Sequence, residues 1–161
     1  MLYSCTNLTT IPLLNTTKVT SVDSMFYGCT NLTTIPLLDT GSVTGMVYMF
    51  SGCTNLTTIP LLDTGSVTDM GYMFSGCTNL TTIPLLDTSK VFGMRDMFTN
   101  CTSLSDESLN NILAMCVNAI KVTSSSSKTL KSIGLTSEQA TKCTTLSNYS
   151  TFTAAGWTTG Y

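Results

Sequence analysis

The sequence contains no histidine and few charged residues, and these shortages exclude several functions. Histidine is the side chain that most often serves as a general base near neutral pH, and it is a common metal ligand. Charged residues make up only 10% of the 161 residues, the formal net charge is -2, and no basic stripe is present. A protein that binds nucleic acid normally carries such a stripe to neutralise phosphates. We therefore expect a protein that is not an enzyme and does not bind nucleic acid.

Long apolar runs are also missing from the chain. A helix that crosses a bilayer needs about 18–20 consecutive apolar residues, so we expect no insertion into a membrane. No signal peptide is visible, because Met1 and Leu2 occupy the Met-Phe position of the repeat described next. We therefore expect the chain to begin inside a repeat and to be the C-terminal part of a longer protein.

What the chain has in abundance is internal repetition with a period of 24 residues. Residues 25–48, 49–72 and 73–96 are nearly identical, residues 1–24 are a looser copy, and residues 97–104 begin another. A single unit of this kind cannot bury its apolar side alone, so neighbouring units must stack to form a core. The period therefore predicts a solenoid built from stacked turns.

The segment LTTIPLL is the predicted β-strand of each unit, for example residues 56–62. Strict alternation would place Leu61 in the core and Leu62 on the outside. Strands of successive units are predicted to pair in parallel, with irregular or 3-10 arcs closing each turn. The predicted fold of residues 1–104 is therefore a solenoid of short parallel β-strands stacked at the repeat period.

The outward face of these strands is the predicted binding surface. It carries almost no charge, and apolar strips of this kind often mark contact sites. We expect it to bind a protein or a glycan. The predicted binding residues are Thr10, Thr34, Thr58, Thr82, Pro36, Pro60, Leu38, Leu62 and Leu86.

The period ends after Leu104, and the rest of the chain is predicted to be a mainly helical cap over residues 105–161. Apolar residues at helical spacing predict an amphipathic helix whose N-cap is Ser105 or Asp106. This helix is predicted at 105–119. The other predicted elements are helices at 137–147 and 149–155, a loop at 121–129 and a short strand at 129–135. No such cap covers the strand of the first turn, so its edge is predicted to associate with another copy of the chain.

Five of the seven cysteines share one repeat position, which predicts a column of buried, unpaired thiols. Stacked neighbours would point in the same direction, which is poor geometry for disulfides. The chain has no C-x-x-C pair, so we expect no metal site there. The five residues are Cys5, Cys29, Cys53, Cys77 and Cys101.

The sequence D-T-G-S occurs at residues 39–42 and 63–66 and matches the aspartic-protease signature. That mechanism needs two carboxylates that face each other and share a proton. Translational neighbours in a stack do not face each other, so we expect each aspartate to cap its own turn by accepting backbone N–H bonds. No cofactor is predicted, with calcium at the column of Asp39, Asp63 and Asp87 as the minor alternative.

The unit C-T-N-L-T-T-I-P-L-L-D-T-G-S-V-T-x-M-x-x-M-F resembles the BspA-type leucine-rich repeat of bacterial surface proteins. The resemblance covers residues 1–104, although proline stands where that pattern has aspartate. It implies a non-catalytic adhesion module, extracellular or on a bacterial cell surface, within a longer chain. Similar repeats occur in phage tail proteins, so a structural spacer or a receptor-binding tip on a virion is the alternative.

Overall fold

The computed structural model describes residues 2–119, 128–129 and 131–161. Three helices lie in its C-terminal part: α1 at Asp106–Asn118, α2 at Ser137–Cys143 and α3 at Tyr149–Ala154. The described repeats contain hydrogen-bonded turns and isolated parallel bridges, such as that between Gly45 and Asp69, but no β-strand, sheet or 3-10 helix. The predicted leucine-rich-repeat solenoid of stacked β-strands is therefore wrong.

The 24-residue units nevertheless stack on one another, and we call residues 2–104 the repeat stack. In the inner units, alternate residues of the V-T-x-M-x-x-M-F arc, and the glycine that follows it, donate backbone hydrogen bonds to the next turn. The donors Met46, Tyr48, Phe50 and Gly52 reach the carbonyls of Asp69, Gly71, Met73 and Ser75 at 3.0, 3.0, 2.9 and 2.7 Å. Tyr48 and Gly52 have positive φ angles of 57° and 76°. These left-handed residues interrupt the extended conformation, so the arc carries a hydrogen-bond ladder without being a strand.

The LTTIPLL segment has a period of three residues rather than the predicted period of two. Leu56, Ile59 and Leu62 expose 0%, 4% and 2% of their surface, whereas Leu61 exposes 63%. Pro60 cannot donate to a ladder, and its fixed φ favours polyproline II, which has three residues per turn. The proline therefore explains why residues three apart share the inner face and why no strand forms.

The core of the repeat stack consists of columns of equivalent side chains. Phe26, Phe50, Phe74 and Phe98 are fully buried, and successive rings stack with centroids 5.5, 5.8 and 5.7 Å apart. Columns of methionine, valine, leucine and cysteine complete the same core. Each turn therefore buries its apolar side against its neighbours, as the repeat period predicted.

The C-terminal helices agree well with the sequence. The prediction of a helix at 105–119 is confirmed by α1, whose N-cap Ser105 accepts the backbone N–H of Ser108. The helix predicted at 137–147 ends earlier, at Cys143, and the helix predicted at 149–155 ends at Ala154. The predicted strand at 129–135 is wrong in the described residues, which form turns and a single bridge between Thr129 and Thr158. Most of the predicted loop at 121–129 lies outside the described residues.

The helical segment meets the last turn of the repeat stack through hydrogen bonds that a further repeat would otherwise make. Thr88 Oγ1 donates to the carbonyl of Met115 in α1 at 2.6 Å, as Thr64 Oγ1 donates to the carbonyl of Asp87 in the next turn at 2.8 Å. The backbone N–H of Phe98 donates to the carbonyl of Ile133 at 2.9 Å. The segment therefore takes the place of a fifth complete turn.

In the described part of the chain, none of the helices has both the length and the apolar character required to span a bilayer.

Candidate functional site

The residues predicted to form one binding face are divided by the structure. Thr10, Thr34 and Thr82 are exposed, and Thr58, Pro36 and Pro60 are half-buried. In contrast, Leu38, Leu62 and Leu86 expose 2%, 2% and 0% of their surface and belong to the core. The predicted outward orientation of these three leucines is therefore wrong, because the period in this segment is three. A binding role for the threonines and prolines stays a prediction.

The exposed leucines stand one position earlier in each unit. They form what we call the leucine ladder, whose members expose 73%, 60%, 63% and 48% of their surface: Leu13, Leu37, Leu61 and Leu85. Single exposed leucines are common on protein surfaces. Four large apolar side chains in equivalent places of successive turns are unusual, because together they form an apolar strip. Cys53 and Leu56 are three residues apart. Continuing that spacing past the proline would have placed Leu62 in the core and Leu61 on the surface, and would have predicted this ladder from the sequence.

A surface groove of about 620 Å³ runs across the first three turns, and we call it the leucine groove. Leu13, Leu37 and Leu61 line it together with Thr16 and with the carboxylates of Asp39 and Asp63. No lysine or arginine is among its lining residues. The groove therefore combines an apolar surface with negative charge.

Thr16 gives the leucine groove an unusual polar group. Thr16 exposes only 3% of its surface, and its Oγ1 has no hydrogen-bond partner among the described residues. The equivalent Thr40 Oγ1 donates to the carbonyl of Asp63 at 2.7 Å. The first copy differs locally, because Asn15 there binds both the N–H and the hydroxyl of Thr17. A buried hydroxyl without a partner has a free-energy cost.

The aspartates of the D-T-G-S turns do what their turn chemistry predicts. Asp39, Asp63 and Asp87 each accept the backbone N–H two residues later, at 3.3, 3.1 and 2.8 Å. The hydrogen bonds from Ser89 lower the pKa of the Asp87 carboxyl. In the described residues no group of three or more acidic or cysteine side chains is placed to hold a metal ion. Each turn N–H engages one oxygen of its carboxylate, and calcium at this column stays a prediction.

A second surface lies on the arcs and carries aromatic rings. Tyr48 and Tyr72 stack with centroids 4.6 Å apart, and Tyr3 stacks on Tyr27 at 4.9 Å. Phe92 is 47% exposed beside this row, in the position that other units fill with threonine. Stacking hides one face of each ring in a pair, and Tyr3 and Tyr48 remain 56% and 36% exposed.

The cysteine column is confirmed as buried and unpaired in four of its five members. All seven cysteines of the chain are free thiols, and of the column only Cys5 is partly exposed. Each of the others donates to a carbonyl of the preceding turn, as Cys53 does to Phe26 at 3.1 Å. Burial raises the pKa of the Cys53 and Cys101 thiols to about 12. Such thiols remain protonated near neutral pH and are poor nucleophiles.

One family model matches the chain, over residues 1–112, and its description is Mycoplasma protein of unknown function, DUF285. The chain belongs to the DUF285 family. The match spans the whole repeat stack and the first half of α1 in this DUF285 protein. Comparison with curated proteins and with solved structures finds no match. The family description gives no activity, and the resemblance to BspA-type repeats stays a prediction.

Proposed function

We propose that this DUF285 protein is a non-catalytic binding module that holds a protein partner in the leucine groove. The observation that carries the proposal is the leucine ladder, in which the same leucine of every turn is 48% to 73% exposed. Exposed apolar patches with a polar rim mark interaction sites, and burial of such side chains is the main source of affinity. The exposed threonines beside the ladder would form part of the rim.

A protein partner is favoured over a glycan by the composition of the groove. Three leucines dominate its surface, and they offer no hydrogen bonds to the hydroxyl groups of a sugar. No aromatic ring lines the groove, so a sugar would find no ring face there on which to stack. A protein segment with apolar side chains is the better match for both observations.

We further propose that the protein acts on a bacterial cell surface as part of a longer chain. This part of the proposal is supported by the resemblance of the repeats to BspA-type surface repeats. The alternative roles are a structural spacer and a receptor-binding tip of a phage tail. The spacer differs from the proposed binding module in one testable respect. A spacer does not need the leucine ladder to be exposed.

The proposal is tested by selecting a library of displayed random peptides on the wild-type protein and measuring the affinity of the selected peptides. The variant Leu37→Asp with Leu61→Asp places two charges in the groove. Because both leucines are exposed, the variant should keep the melting temperature of the wild type but lose binding by at least about tenfold. The matched control is Phe92→Asp, which adds a charge at another exposed apolar residue and should bind like the wild type.

Selected peptides that bind the leucine variant as well as the wild type would show that the groove is not the site. Failure to select any peptide that depends on the ladder would favour the spacer. The corresponding change at the neighbouring residues, Leu38→Asp with Leu62→Asp, is expected to unfold the protein, because both leucines are in the core.

A further inference from the structure

We infer that the leucine groove binds a basic amphipathic α-helix lying along the axis of the repeat stack. This inference rests on the proposed function and specifies the chemistry of the partner. Two observations support it: the spacing of the turns and the charge of the groove.

The spacing of the turns fits a helix better than an extended segment. Successive phenylalanine rings of the stack lie 5.5 to 5.8 Å apart, and hydrogen-bonded backbones of neighbouring turns lie about 4.8 Å apart. The leucines therefore recur about every 5 Å along the axis. A helix parallel to that axis presents one apolar side chain per turn of about 5.4 Å. An extended segment presents one about every 6.7 Å and loses register within a few leucines.

The charge of the groove selects a basic helix over an acidic one. Asp39 and Asp63 line the groove and are exposed, and Asp87 continues the row in the next turn. No lysine or arginine lines the groove beside Asp39 and Asp63, whereas Asp87, outside the lining, has Lys90 close by. Lysines or arginines along one flank of a leucine stripe would lie against this row, whereas glutamates would be repelled.

The test uses three synthetic peptides of about 20 residues, a length at which an isolated helix can form. The first carries leucines at i, i+4, i+7 and i+11 with lysines along one flank. The second has the same composition with leucines at alternate positions. The third is the first with glutamate in place of lysine. Binding of each peptide to the whole chain is measured by calorimetry or fluorescence anisotropy at two salt concentrations.

The inference predicts that the first peptide binds at least about tenfold more tightly than either of the others. Its binding should be lost in the variant Leu37→Asp with Leu61→Asp. It should weaken several-fold, and become less sensitive to salt, in Asp39→Asn with Asp63→Asn. Asparagine keeps an oxygen for the turn N–H groups that these aspartates accept. The matched control, Glu107→Gln with Glu138→Gln, removes two exposed charges from the helical segment and should have no effect.

Two results would overturn the inference and leave the proposed function intact. One is equal or tighter binding of the alternating or the glutamate peptide, provided that it still depends on the ladder. The other is the absence of binding by all three peptides when peptides from the random library do require Leu37 and Leu61. If the first peptide binds the variant Leu37→Asp with Leu61→Asp as tightly as it binds the wild type, both proposals are contradicted.

Discussion

The two ends of the repeat stack contain the same kinds of residues but differ in burial. Leu14 and Val19 in the first turn are half-buried, whereas their counterparts in the last turn, Leu86 and Val91, are fully buried. The helical segment covers the last turn, and no described residue covers the first. Burial in this fold is therefore determined by the neighbouring turn, and a unit does not bury its own apolar side.

The same contrast is seen in the polar groups at the two ends. At the covered end, the side chain of Gln139 donates to the carbonyl of Cys101 at 2.6 Å, and Ser108 Oγ accepts the N–H of Ile83 at 2.9 Å. At the open end, the backbone N–H groups of Thr9 and Thr20 have no acceptor among the described residues. The comparison predicts that stability and protection increase from the first turn to the last.

The largest expected effect is in the reaction of the cysteines with a thiol reagent. Cys5 in the open turn is partly exposed, whereas Cys77 is fully buried and burial raises its pKa well above the ordinary value. Cys77 should react at least about a thousandfold more slowly, because it needs an opening of the core. Mass spectrometry of the digested protein after timed labelling measures both rates. Equal rates in the folded protein would contradict the comparison, and equal rates after denaturation are the control.

The next effect concerns one leucine position in two turns. Leu86→Ala should lower the free energy of unfolding by about 2–5 kcal/mol, because it leaves a cavity in the covered core. Leu14→Ala should cost about 1 kcal/mol, because part of that side chain is already in water. Denaturant titration measures both values. Leu62→Ala in an inner turn should behave like Leu86→Ala, and a loss at Leu14 as large as at Leu86 would argue that the first turn is covered.

A smaller effect is expected where threonine is changed to valine, which has nearly the same shape. Thr64→Val removes the donor to the carbonyl of Asp87, so it should lower the free energy of unfolding by about 1–3 kcal/mol. Thr88→Val should do the same at the covered end. Thr16→Val removes a buried hydroxyl without a partner, so it should be neutral or stabilising. A clear loss of stability in Thr16→Val would show that its hydroxyl is satisfied in solution.

The smallest expected effect is weak self-association through the open end. The partly exposed apolar side chains and unpaired N–H groups there offer a surface for another copy of the chain. Sedimentation velocity should show a concentration-dependent dimer. Val19→Lys should reduce it, while Phe92→Lys, on the exposed arc, should not. A monomer at every concentration, or an equal effect of both variants, would argue against this surface.

Several parts of the structure were predictable because they depend on local chemistry. Ser105 and the acidic residues after it predict the start of α1 to within one residue. Asp39 and Asp63 predict their own turns, since an aspartate at this position accepts a nearby N–H. The stacking of units follows from the period alone. In each case the relevant partners are close in sequence or at a fixed repeat distance.

The inner and outer faces of the LTTIPLL segment were not predicted correctly, and Pro60 is the reason. A strand and a polyproline-like segment have similar composition but periods of two and three, so one wrong period exchanges Leu61 and Leu62 between core and surface. The leucine groove was not predicted, because the leucines that line it were assigned to the core. The unpartnered hydroxyl of Thr16 could not be predicted either, because Thr40 and Thr64, at the equivalent position of similar units, do donate to the next turn.

The contacts between turns have a consequence for how the gene can change. Each inner turn presents to its neighbour the same stacked phenylalanine, the same cysteine donor and the same threonine donor. Loss or duplication of one 24-residue unit, such as residues 49–72, joins surfaces that already fit each other. Nearly identical units also favour unequal recombination. The length of the groove, and with it the number of leucines available to a partner, can therefore vary in whole units between related genes while both ends stay unchanged.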